Sequence, residues 1–121
     1  MNNAEKKIDL PLIIPTKTLI NGDIATQGSV AIDRALLPEQ FSSNNLMLVV
    51  TDSSQYIVDC SHSDIIKGRY IIQMEGKYSI NQLSRAAGNK IIINIVDVPL
   101  VFDRSKINII GKVITSINQE Y

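Results

Sequence analysis

The chain has 121 residues, the length of one domain that can bury its own core, with Lys plus Arg at 12 against Asp plus Glu at 12. A formal net charge of zero leaves no clustered positive surplus for gripping nucleic-acid phosphates. The single cysteine, Cys60, excludes an internal disulfide and fits a reducing, cytoplasmic compartment.

Apolar residues make up 45% of the chain and aromatics only 5%, so Ile, Val and Leu carry the core and bias it toward sheet. The start lacks an apolar signal region and no apolar run is long enough to cross a membrane, so no membrane association is expected. Residues 1–7 are polar and read as a disordered linker, and residues 8–121 as the domain.

From Ile8 to Ile14 the chain is apolar, but Pro11 and Pro15 interrupt it, which predicts an edge strand or extended arm. Thr16 to Ile20 is expected to form a helical turn, closed at Asn21-Gly22-Asp23. Ser29 to Asp33 alternates polar and apolar before Arg34 to Leu37, and Pro38 stops it. Leu46 to Val50 and Gln55 to Asp59 form a hairpin about the turn Thr51-Asp52-Ser53-Ser54.

Ser61 to Gly68 reads as a polar loop, ending in a tight turn at Lys67-Gly68, and Arg69 to Gln73 as the next strand. Glu75-Gly76 turns it into Lys77 to Leu83, with Tyr78, Ile80 and Gln82 on one face and Ser79, Asn81 and Leu83 on the other. Ala87-Gly88-Asn89 leads into Ile91 to Val96, and a loop containing Pro99 follows. Ile107 to Ile117 is a long final strand in which Gly111 marks a bulge or a close approach. The spacing of strands and turns predicts an all-β, mostly antiparallel β-sandwich or partly open barrel with at most short helical turns.

Chemistry finds little foothold. His62 stands near Asp59, Cys60 and Asp64, but no second His or Cys exists to complete a tetrahedral metal set. A polar loop accounts for Ser61 to Asp64, and Cys60 at a strand end reads as a small buried hydrophobe. No phosphate-cradling glycine motif occurs, and no carboxylate pair suits acid–base work, so neither an enzyme nor a cofactor or metal site is expected.

The segments Leu46–Val50, Tyr56–Asp59, Ser63–Gly68, Arg69–Gly76, Lys77–Arg85 and Ile109–Ile114 follow in an order that resembles the C-terminal domain of CI-type bacteriophage repressors. The resemblance covers about Ile24 to Ile117 and is closest to the phage 186 type, whose C-terminal domains do not self-cleave. It implies a LexA-like, S24 peptidase-like fold. On this resemblance the turn Thr51–Gln55 stands where self-cleaving relatives keep a serine nucleophile, and Asn81 falls on their lysine. An asparagine amide cannot act as the base, which leaves Ser53 a turn residue and the fold without autoproteolysis.

The resemblance further implies a homo-oligomer, a dimer and higher forms, that supports cooperative operator binding by a separate N-terminal helix-turn-helix domain. DNA is then engaged only indirectly, and an antirepressor protein is a possible further partner. Tyr78, Leu83 and Ile110 are the apolar interface candidates, on the Lys77–Arg85 and Ile107–Ile117 strands that the family's late dimer interface suggests. Taken this way the chain is an isolated repressor fragment. A free-standing regulator or antirepressor acting by mixed association, a serine autopeptidase using Ser53, and a generic assembly protein are the alternatives.

Overall fold

The computed structural model describes residues 10–37, 45–61, 65–95 and 98–118. The residue 1–7 linker, His62, Asp64 and the Pro38 stop lie outside these residues. Among them the chain is almost entirely strand: β1 (Leu12–Ile20), β2 (Asp23–Ile32), β3 (Leu46–Val50), β4 (Ser54–Asp59), β5 (Gly68–Met74), β6 (Lys77–Ala86), β7 (Lys90–Ile95), β8 (Val98–Asp103) and β9 (Asn108–Asn118). Two short 3₁₀ turns, Arg34–Leu36 and Arg104–Lys106, follow aspartates whose carboxylates accept the next backbone N–H but one.

The strands form a single open sheet in the order β2-β1-β3-β4-β9-β5-β6-β7-β8. Every neighbouring pair is antiparallel except β1 with β3. The hairpin turns follow from residue chemistry. Asn21 and Gly22 take φ of 54° and 83°, the left-handed pair that a two-residue turn between twisted strands needs.

Two expectations are corrected. Thr16 to Ile20 is not a helical turn but the second half of β1. Its β-branched residues suit a pleated surface, and Thr16, Lys17 and Thr18 pair in parallel with Leu48, Val49 and Val50. The first half of β1 pairs only with β2, which is how Pro15 is tolerated beside a register shift between Pro15 and Lys17. The supposed loop around Pro99 is β8, an edge strand bonded on one side to β7. A proline costs an edge strand nothing when its nitrogen faces outward.

Gly111 is a close-approach point in β9. Register shifts lie on either side of it, between Ile71 and Ile72 of β5 and between Ile57 and Val58 of β4. A Cβ there would stand 2.6 Å from Val58 Cγ1 and 2.9 Å from the Asp59 carbonyl oxygen. The shifts let β9 feed three cores: Ile109 packs against the first, around Tyr70, Ile72 and Leu83, Ile110 and Val113 belong with the second, and Ile114 and Ile117 pack against the third, around Leu12, Ile14 and Leu48.

The second core, built on Leu19, Met47, Val49, Val58, Ile71 and Val113, sits where the sheet curls on itself. There the β1–β2 tip reaches β6: the Tyr78 N–H donates to the Gly22 carbonyl at 2.9 Å, and Lys77 pairs with Asp23 at 3.3 Å. The partly open barrel is held by burial, each fully buried Ile or Val contributing about 1.5–3 kcal/mol. The exposed Lys77–Asp23 pair adds little beside that.

Candidate association surface

Ser53 and Asn81, the two positions singled out in the sequence by resemblance, stand apart. Ser53 is exposed at the β3–β4 tip, a turn closed by Thr51, whose N–H and hydroxyl both donate to the Ser54 carbonyl at 2.9 and 3.1 Å. Asn81 lies on β6, and its amide donates to the Ser79 hydroxyl at 2.8 Å. Following the rows of the sheet, Asn81 aligns with Tyr70, Lys112 and Asp59, at the far end of β4 from Ser53.

Buried Asp59 is turned onto its own chain, accepting the Ser61 N–H at 2.9 Å and the Ser61 hydroxyl at 2.7 Å. Cys60 follows it and is exposed, which corrects the expectation of a buried residue. Neighbouring chain around the sulfur, then the Asp59 charge, push its thiol above the ordinary value, with Lys17 opposing. A thiol held protonated is a poor nucleophile. No group of three His, Cys, Asp or Glu side chains gathers among the described residues.

Of the three interface candidates, Leu83 is 0% exposed, inside the first core with Tyr70, Ile72, Ile91 and Ile93, and it presents no surface. Tyr78 and Ile110 are half-buried and pack against the second core. Both their strands are interior, β6 between β5 and β7 and β9 between β4 and β5, so neither offers a free backbone edge.

The sheet has its two edges at β2 and β8, and they differ in character. β2 exposes Ala25, Thr26, Gln27, Gly28 and Ser29, a small and polar run. β8 exposes Val98 at 60%, Leu100 at 40% and Val101 at 61%, with no charge before Asp103. Among the described residues the other exposed large hydrophobics, Leu10, Ile13, Ile20 and Ile66, lie on or before β1 and in the loop before β5.

A cavity of about 320 Å³ opens beside β8, lined by Met74, Glu75, Val101, Phe102, Asp103 and Lys106. A second, more polar one of about 290 Å³ lies at the β6–β7 turn among Arg85, Asn89, Lys90 and Arg104. An open apolar edge is a template for another strand, and natural edges are usually blunted by charge. Reading Pro99 as a loop hid this surface, although the run Val98-Pro-Leu-Val-Phe102 carries strand-forming residues on both sides of the proline.

The family model of the bacteriophage CI repressor C-terminal domain matches residues 13–115, from β1 into β9. No curated protein sequence matches the chain.

Proposed function

Because this chain belongs to the bacteriophage CI repressor C-terminal domain family, we propose that it is the self-association unit of a phage repressor. Its surfaces hold subunits together so that separate helix-turn-helix domains engage operator half-sites in pairs. Tethering makes the second binding step intramolecular, which raises operator affinity by orders of magnitude with no DNA contact from this domain. The observation that carries the reading is the open, uncharged apolar edge of β8 on a chain of zero net charge.

No self-cleavage belongs to this reading. The placement of Asn81 level with Asp59, away from Ser53, supports a domain of the non-cleaving kind that the phage 186 type exemplifies. Release from the operator then calls for another protein, an antirepressor, acting on the assembly.

Sedimentation of the chain from low to high micromolar concentration tests the proposal. The expected result is a mass that rises from monomer to dimer and beyond. A monomer throughout that range overturns it.

A further inference from the structure

We propose that the polar cavity at the β6–β7 turn binds a phosphate group, held between the guanidinium groups of Arg85 and Arg104. The site is separate from the β8 edge and does not depend on the self-association reading.

Arg85 has an unusual station. Side chains alternate along β6, and Leu83, two residues before it, lies in the first core. Arg85 is therefore on the core-facing side of the sheet, directly opposite Ile91, which is 3% exposed in that same core. Arg85 itself is exposed, at the strand end where the core meets solvent. Neither ion pair among the described residues involves it, so its charge meets no carboxylate there.

Arg104 lines the same cavity from the turn after β8. Two hydrogen bonds fix it: its backbone N–H donates to the Asn89 carbonyl at 2.8 Å, and its guanidinium to the Ile107 carbonyl at 2.8 Å. A guanidinium carries five donors in a rigid fork, so one anchored on a carbonyl is oriented, not used up. The third cation of the lining, Lys90, is matched by Asp103 at 3.6 Å. Among the described residues no Asp or Glu lines the cavity, on a chain whose net charge is zero.

Two guanidinium groups at one concave site select the ligand class. Their forks match phosphate oxygens through charge-assisted, bidentate hydrogen bonds, and a dianion answers two cations where a carboxylate answers one. A recess in the low-dielectric protein also focuses their field. At about 290 Å³ the cavity stands at the small end of ligand pockets, which run from about 300 to 1,000 Å³. Ile65 and Ile91 give it an apolar wall, against which a small group esterified to the phosphate can rest. Inorganic phosphate and a small phosphomonoester share this chemistry, and the test separates them.

The test is an NMR titration of backbone amides and arginine side chains at constant ionic strength and about pH 7.5, where phosphate esters are mostly dianions. Inorganic phosphate, phenyl phosphate and benzoate are the probes. Saturable shifts are expected at Gly88, Asn89, Ile91 and the two arginines, with benzoate binding about tenfold more weakly than phenyl phosphate. Phenyl phosphate binding tighter than inorganic phosphate identifies an ester as the ligand, and the reverse order identifies the free ion; both orders support the site. Arg85→Gln alters an exposed side chain, so it is expected to keep the parent's melting temperature while raising the dissociation constant by about tenfold or more. Lys77→Gln makes the same charge change at the other end of β6 and is expected to leave binding unchanged. Shifts that never saturate, or an Arg85→Gln chain that binds like the parent or like Lys77→Gln, overturn the proposal. Benzoate binding as tightly as phenyl phosphate overturns it too.

Discussion

The Tyr70 hydroxyl grips both backbone groups of Ile66, accepting its N–H at 2.9 Å and donating to its carbonyl at 3.0 Å. The ring is 1% exposed in the first core, with the Lys112 ammonium 5.9 Å from its centroid, so one side chain ties the loop before β5 to the sheet.

Tyr70→Phe keeps the ring packing and strips both hydrogen bonds. Ile66 is exposed and water can replace part of what is lost, so the expected cost is about 1–2 kcal/mol. Urea unfolding should show a lower midpoint at unchanged slope, with hydrogen exchange faster at Ile66 than in β5. An unshifted midpoint would show that the loop holds without the hydroxyl.

Gly111→Ala places a methyl against Val58 Cγ1 and the Asp59 carbonyl, and the latter is backbone with little room to retreat. Overpacking of this kind costs about 2–3 kcal/mol. Thermal unfolding checks it. A melting temperature within a degree of the parent would mean that β4 and β9 can part locally.

Thr16 is the opposite case. Its hydroxyl is buried with no hydrogen-bond partner among the described residues, beside the register shift in β1. Thr16→Val keeps the β-branched shape and removes the unpaired group, so stability should rise by about 1 kcal/mol. Thr16→Ser retains the hydroxyl, loses a buried methyl and should be destabilised. A Thr16→Val chain less stable than the parent would show that water reaches the oxygen.

Asp103 sets part of the acid response. The Ser105 N–H and hydroxyl, at 3.1 and 3.0 Å, and then Lys90, hold its carboxyl below the usual range. Its folded pKa is lower than its unfolded one, so its contribution is full above about pH 4–5 and fades as pH falls through the folded value. Asp103→Ala should narrow the stability gap between parent and variant as pH drops through that window and leave it constant between pH 6 and 8. Carboxyl chemical shifts followed by NMR give the midpoint directly, and one at the ordinary aspartate value would refute the assignment.

Where local chemistry decides structure, the sequence was readable. The Leu46–Asp59 hairpin, the Glu75-Gly76 turn and the crowding at Gly111 follow from turn residues, alternation and the missing Cβ. Thr16 to Ile20 reads as a turn because its strand depends on β3, whose paired residues lie just over thirty positions on, and no local pattern announces a parallel pairing. β8 was hidden because proline disqualifies a strand only if its nitrogen must bond, and edge position is a property of the finished sheet. Leu83 was rightly set on the face opposite Tyr78, but whether that face is covered depends on β7 and on Ile65 and Ile107. The separation of Ser53 from Asn81 likewise rests on β9 and β5 lying between their strands.

The position of β9 between β4 and β5 also makes it the strand that joins the sheet into one. Without that strand, β1–β4 and β5–β8 would be two half-sheets, each with a bare edge where β9 belongs and no ladder joining them. A chain cut short before Asn108 would therefore expose both edges and be prone to pairing with its neighbours.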